Sequence, residues 1–276
     1  LDMTISQAIL WAATNVAPEE KPSEIAAAEP YFIGSHSGAS GAWVSGPEDL
    51  QTDATKGDYF WGYTNMATVP GIFCAGDASG ASSHKFSSGS FTEGRIAAKA
   101  AVKYCVENPD EVPVDDAKVA ELKEKILKPL DTFAANQAAS TDPDTNPNYL
   151  RPKMAMFRMQ KIMDEYAGGV STNFTTSKEN LERALELLDM LKEDYEHLGA
   201  ADLHELLRCW ENVHRTWQAE AHVRTILFRE ETRWPGYYFR SDMPSMKDDW
   251  KVFVNTRWDP ATGEWEMSKK PIHQMY

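Results

Sequence analysis

The sequence predicts an α/β segment followed by a C-terminal, mainly α-helical bundle domain. Two observations carry this expectation. Residues Gly71-Ile72-Phe73-Cys74-Ala75-Gly76-Asp77 form an apolar run ending in Gly-Asp, which reads as a buried strand with a carboxylate at its carboxyl end. From about Val114 onward, apolar residues instead recur at helical spacing, separated by Pro- and Gly-containing connectors.

Taken in order, residues 1 to about 30 suggest a helix (Ile5, Ala8, Ile9, Ala12) and a charged, proline-containing connector. Tyr31 to Val44 reads as a strand, a glycine-punctuated turn and a second strand. Gly57 to Thr68 is an aromatic-rich loop holding Tyr59, Phe60, Trp61 and Tyr63. After Asp77, residues 78–90 are dense in Gly and Ser, a composition that lets backbone approach a ligand closely. A small-residue helix is expected from about Ser87, and the N–H groups at its start favour an anionic or electron-rich group. The same residues also suit the strand-loop-helix unit of any α/β protein.

In the helical part, a first helix is expected from Val114 to Lys128, stopped by Pro129. A Pro-rich linker (140–148) precedes a methionine-rich helix from about Lys153 to Tyr166, ended by Gly168-Gly169. Thr176 with Glu179 reads as a capping box. Leu181, Ala184, Leu185, Leu188, Leu191, Tyr195 and Leu198 then share one face, and Gly199 stops the helix. Asp202 can cap a further helix whose apolar stripe would be Leu203, Leu206, Leu207, Trp210, Val213, Trp217 and Ala221. The two stripes should bury one another in an antiparallel bundle.

Composition excludes several functions. A net charge of −14 argues against a nucleic-acid surface, which needs clustered Lys and Arg. No apolar run approaches the roughly 18 residues of a transmembrane segment. Cys74, Cys105 and Cys209 stand alone, so no metal or cluster site is expected, and lone cysteines fit a reducing, cytoplasmic setting. His204-Glu205-Leu206-Leu207-Arg208 lacks the second histidine of a zinc helix. His204, His214 and His222 read as surface or bundle residues, and Met154, Met156, Met159 and Met163 as helix packing.

Ala75-Gly76-Asp77, the loop after it and Glu93-Gly94-Arg95-Ile96-Ala97-Ala98 resemble the second flavin-binding segment of the fumarate reductase/succinate dehydrogenase flavoprotein superfamily. So do Glu231-Thr232-Arg233 and Arg240-Ser241-Asp242-Met243-Pro244 with the strand after them, which match its C-terminal signature. The longer runs 24–49 and 75–90 resemble the alpha subunits of the dissimilatory adenylylsulfate reductases within it. The resemblance implies the C-terminal part of a Rossmann-like flavin domain, an α/β FAD-binding segment, plus the helical domain. Its divisions would be 1–30 as the end of a capping domain, 31–113 as the second FAD segment, and 114–276 as the helical domain with a Trp-rich tail.

The implied activity is FAD-dependent reduction of adenylylsulfate to AMP and sulfite through a flavin N5–sulfite adduct, with electrons from an iron–sulfur beta subunit. Cofactor binding would fall to Gly76, Asp77, Phe86, Ser87 and Ser88, with Asp77 on a ribityl hydroxyl. His36, in Gly34-Ser35-His36-Ser37-Gly38, would be the catalytic residue and would bind substrate together with Lys85 and Phe86. His36 could instead be a hydrogen-bonded structural residue, and Lys85 a solvated charge. The loop 78–86 carries no arginine, which argues against the dicarboxylates that other members bind. Alternatives are a fumarate reductase or L-aspartate oxidase relative, and a non-catalytic helical interaction subunit.

The Glu and Arg of the C-terminal signature read as a structural ion-pair network joining the helical region to the flavin segment. Trp234, Trp250, Trp258 and Trp265 crowd the tail, which suits either a partner interface or packing on the tail's own domain. The sequence contains no Gly-x-Gly-x-x-Gly loop, and it begins at Leu1 inside a helix-like pattern. Both facts lead to the expectation of a C-terminal part of a longer flavoprotein.

Overall fold

A computed structural model describes residues 41–52, 57–80, 87–111, 113–136, 148–233 and 239–272, with the isolated positions 13, 15 and 17. The chain divides into two units, Leu1–Ser37 and Gly38–Tyr276, and apart from those three positions the described residues belong to the second. Among them, the helices are α1 (Ser87–Glu107), α2 (Asp116–Asn136), α3 (Pro152–Tyr166), α4 (Lys178–Asp194) and α5 (Leu203–Phe228). The strands are β1 (Thr175–Thr176), β2 (Phe239–Arg240), β3 (Val252–Asp259) and β4 (Glu264–Pro271). β1 pairs with β2 in parallel, and β3 with β4 as an antiparallel hairpin. The mainly helical C-terminal domain is therefore present.

α3, α4 and α5 form the bundle. Its core joins Met159 and Ile162 of α3 with Leu181, Ala184, Leu188 and Leu191 of α4, and Ala219, Val223 and Ile226 of α5. The four α4 residues are the ones its periodicity selects, and they are fully buried. Met159 and Met163 pack here as expected, whereas Met154 is exposed. A second cluster, Ala155, Leu198, Ala200, Leu206 and Cys209, continues the core toward α2. Burial pushes the Cys209 thiol up to about 12, with Glu205 adding to the shift, so this cysteine stays protonated at neutral pH.

Four expectations are corrected. The cap of α4 is Ser177, whose hydroxyl accepts from Asn180 N–H at 3.3 Å. Thr176 is instead buried in β1, donating to the Tyr166 carbonyl at 2.6 Å. Pro129 does not end α2, which runs on to Asn136 with the proline buried inside it. The turn around Pro129 is tied to the bundle from outside. Trp210 Nε1 donates to the Ile126 carbonyl at 2.9 Å, and Ala200 N–H donates to the Pro129 carbonyl at 2.9 Å.

The buried stripe of α5 is the third correction. Leu206 is buried, but Leu203, Leu207 and Trp217 are exposed. The inward face is Leu206, Cys209, Asn212, Thr216, Ala219, Glu220, Val223 and Ile226. Its polar members each bond another residue, although Asn212 Oδ1 is buried with no hydrogen-bond partner. Asn212 donates to the Pro152 carbonyl at 2.7 Å, and Thr216 shares a 2.6 Å hydrogen bond with the Tyr195 hydroxyl. Glu220 binds Lys192, Arg224 and Trp265 Nε1, each at 2.8 Å, and so ties α4, α5 and the β3–β4 hairpin together. Asp202 caps α5 as expected, accepting from Glu205 N–H at 2.8 Å.

The C-terminal signature is an ion-pair network, as the sequence suggested, but its immediate partners are other than expected. Arg240 is fully buried and donates to the carbonyls of Ile226, Leu227 and Arg229 at the end of α5. Its other nitrogens form a forked pair with Asp242 at 2.8 and 2.6 Å. Asp242 in turn accepts from Lys178 N–H at 3.1 Å, at the start of α4. Glu231, with no exposed surface, binds Arg229 at 2.5 Å and Arg233 at 2.6 Å and accepts from Lys247 N–H at 2.8 Å. Arg229 continues to the Trp250 and Val252 carbonyls, both at 2.8 Å.

Among the described residues, this network thus joins the ends of α4 and α5 to the root of the hairpin, and the hairpin makes the contact with residues 41–60. Trp43 packs on Phe253 at 5.6 Å, and Lys270 pairs with Asp58 at 2.5 Å. In the tail, Trp250 is buried against Phe228 and under Lys269, and Trp265 is bonded to Glu220. Trp258 is half-exposed, and Trp234 lies outside the described residues.

Leu188→Ala is expected to cost about 2–5 kcal/mol by urea unfolding, because it opens a cavity in the bundle. Leu207→Ala, on the exposed side of α5, should stay within about 0.5 kcal/mol. Equal effects would contradict the assigned faces. The pH dependence comes from the carboxylates. Burial alone would raise Glu220 and Glu231, but hydrogen bonds from Lys192 and Arg224, and from Arg233, Lys247 N–H and Arg229, outweigh it and lower both. The Arg240 fork lowers Asp242. Groups depressed in the native state give stability that is fully present above their unfolded values, about 4 to 4.5, and lost as pH falls through the native ones. Melting temperature should therefore drop as pH falls below about 5, with a shallower acid limb in Asp242→Asn.

Candidate functional site

The segment 71–80 is not the buried strand its apolar run suggested. Phe73 makes a single bridge to Met66, Ala67 N–H donates to the Ile72 carbonyl, and Cys74 N–H donates to the Asn65 carbonyl. Ile72 remains half-exposed. A strand buried on both faces needs neighbours on both sides, and the described residues supply only this short reversal of the preceding loop. The second expected strand, around Val44, is likewise reduced to isolated bridges, Ala42 to Ser79 and Val44 to Ala67.

The backbone just past Ala75 is held closely. Gly76 is buried at φ +63°, and a Cβ there would lie 2.9 Å from Ser90 Oγ and 3.1 Å from Ser90 Cβ. Only glycine takes this backbone and this approach without strain. Gly76 N–H donates to Glu93 Oε2 at 2.7 Å, one turn further along α1. A tight turn over Gly76–Ala78, closed by Ser79 N–H on the Gly76 carbonyl at 3.0 Å, then turns Asp77 outward to an exposed position. Ser87 and Ser88, also exposed, open α1 as expected. Asp77 therefore follows directly on a glycine held against the first turns of α1. The first N–H groups of a helix have no intrahelical acceptor and favour an electron-rich group.

A second junction joins residues 41–42 to residues 78–80. Ala42 N–H donates to the Ala78 carbonyl at 2.9 Å, and Gly80 N–H to the Ala42 carbonyl at 2.8 Å. A Cβ on Gly41 would come within 2.6 Å of Gly80 N and Ser79 C, so the two backbones touch. His36, Lys85 and Phe86 lie outside the described residues.

α1 is braced on its far side by aromatics. Tyr104 packs edge-on against Tyr63 at 5.1 Å and Phe73 at 6.0 Å, and the Tyr63 hydroxyl bonds Glu107 at 2.7 Å. A shallow depression on α1, lined by Thr92, Arg95, Ile96 and Lys99, includes none of the expected site residues. Among the described residues, no group of three or more His, Cys, Asp or Glu side chains could hold a metal, and Glu205 is paired with Arg151. In the sequence Glu93 stands only as part of the motif 93–98. No spacing rule links a helix glutamate to a glycine 17 residues earlier.

A model of the fumarate reductase flavoprotein C-terminal region matches residues 156–276. The whole chain is 48% identical to adenylylsulfate reductase subunit alpha of Megalodesulfovibrio gigas, of which it covers 42%. Residues 156–276 thus match the C-terminal region of the fumarate reductase flavoprotein family, and the chain along its whole length is similar to an adenylylsulfate reductase alpha subunit. Among solved structures, an adenosine-5-phosphosulfate reductase in complex with sulfite as a covalent adduct matches with TM-score 0.88. It is 54% identical, over 99% of this chain and 43% of that one. Adenylylsulfate reductase from Archaeoglobus fulgidus gives the same values. Quinol-fumarate reductase, 16% identical with TM-score 0.59 over 76% of this chain and 35% of its own, shares the fold alone. The chain spans about two fifths of the length of the adenylylsulfate reductase relatives. No helix among the described residues is long and apolar enough to cross a membrane.

Gly41→Ala is expected to lower the melting temperature clearly, because its Cβ meets backbone on both Ser79 and Gly80. At Gly62, at φ +115° with open space around it, alanine should cost only about 1 kcal/mol of backbone strain. If both variants melt alike, the 41–80 contact is not close-packed.

Proposed function

We propose that the chain is part of an adenylylsulfate reductase alpha subunit, which binds FAD and reduces adenylylsulfate to AMP and sulfite. The observation that carries this reading is the likeness to the adenylylsulfate reductases along the whole chain, 48–54% identity against 16% for quinol-fumarate reductase. The residues present fit a flavin. An exposed carboxylate, Asp77, directly follows a buried glycine that packs against the first turns of α1.

In this reading Asp77 accepts from a ribityl hydroxyl, while Gly76, Phe86, Ser87 and Ser88 line the flavin edge. The start of α1 favours negative charge on that edge. FAD supplies the two-electron chemistry when bound. The chain's own residues hold and neutralise the substrate: His36 hydrogen-bonds the oxyanion of the sulfate group, and Lys85 and Phe86 bind the nucleotide. Residues 31–113 would be the second part of the FAD domain, with 1–30 ending a capping domain and 114–276 forming the helical one. Electrons would come from an iron–sulfur beta subunit.

His36→Ala in the full-length flavoprotein tests the reading. Turnover of adenylylsulfate should fall about 10²–10³-fold while FAD content holds, as for loss of one positioned donor. Unchanged turnover would return His36 to a structural role, and turnover of fumarate in place of adenylylsulfate would overturn the substrate.

A further inference from the structure

We infer that Glu93 is the positioning residue for Asp77: its carboxylate holds the Gly76 peptide and so sets where the Asp77 side chain stands. The inference rests on the proposed role of Asp77 toward FAD. Gly76 is buried, and its backbone at φ +63° faces out of any ladder, so its N–H requires a partner from elsewhere. Glu93 Oε2 provides one at 2.7 Å. Glu93 is seven residues into α1, so it is carried on a rigid element rather than on the loop it steadies. Ser90, one turn earlier, closes the other side of Gly76, so that peptide is gripped by two residues of the same helix.

Asp77 follows Gly76 directly, and the Ser79 N–H to Gly76 carbonyl bond closes the turn that faces it outward. Rotation of the Gly76 peptide would swing the Asp77 carboxylate out of its present position. Glu93 would thereby act on FAD through Asp77 without touching the cofactor. Gln at this position still presents an oxygen to Gly76 N–H. Ala presents none, and Asp is short by one methylene.

The test is FAD titration of the full-length apoflavoprotein as wild type, E93A, E93Q, D77A and D77A/E93A, with the melting of each apoprotein measured alongside. E93A should weaken FAD binding at least about 10-fold, as expected for loss of a hydrogen bond to a charged group, and E93Q should stay within about 3-fold. In the D77A background, E93A should add less than about 2-fold, because the two act in series. Unchanged affinity in E93A, or the same loss in both backgrounds, would overturn the inference, as would an effect confined to melting. If E93A does not fold, E93D takes its place in the cycle, and parity of E93D with wild type counts against Glu93. Wild-type protein that takes up no FAD would overturn the flavin reading and this assignment with it. FAD-loaded wild type with an indifferent E93A overturns only the role of Glu93.

Discussion

The arrangement of the helical domain depends on one buried arginine. Arg240 sits at the carboxyl end of α5, where three carbonyls have no further helix to bond, and its guanidinium takes all three. Its remaining donors fix Asp242, which accepts from Lys178 N–H beside the Ser177 cap of α4. A cation at a helix carboxyl end and an anion at a helix amino end both oppose the helix dipoles favourably. One side chain thus sets the relative placement of α4 and α5. A lysine would keep the charge but lose the fork to Asp242. Glu231 repeats the device a few residues away, gathering Arg229, Arg233 and the Lys247 N–H so that the hairpin root is fixed to the same helix end.

The bundle is held by more than apolar contact. α4 presents a continuous leucine face, but α5 answers it with a mixed face in which Asn212, Thr216 and Glu220 lie among small and branched residues. Each of these polar groups reaches a different element: Asn212 the start of α3, Thr216 the end of α4 through Tyr195, and Glu220 both α4 and the hairpin. Polar groups of this kind specify register, because sliding the helices would strand them in the core without partners. Leucines alone tolerate such a slip more easily.

The same economy governs the α/β part. Two glycine contacts replace the sheet that the apolar run suggested: Gly41 on Gly80, and Gly76 on Ser90. They join residues 41–42 to residues 78–80, and Gly76 to α1. The hairpin then reaches this part through Trp43–Phe253 and Asp58–Lys270, so the C-terminal network and the Asp77 junction belong to one connected framework.

The sequence by itself determined the helices whose stripes and caps agree, above all α4 with Leu181, Leu188 and Leu191 and α5 with its Asp202 cap. It also carried the family resemblance, because the Ala75-Gly76-Asp77 and C-terminal motifs are local strings. Tertiary structure decided what depends on a partner. The large apolar residues Leu203, Leu207 and Trp217 look inward-facing until the partners of Asn212, Thr216 and Glu220 turn the other face to the core. Pro129 looks like a stop until Ala200 and Trp210 bond the carbonyls around it. Residues 71–77 look like a strand because their pattern is local, whereas a strand requires neighbours that no local pattern contains. Glu93 was legible only as a letter in a motif, since its meaning lies in a glycine brought to it by the turn of the chain.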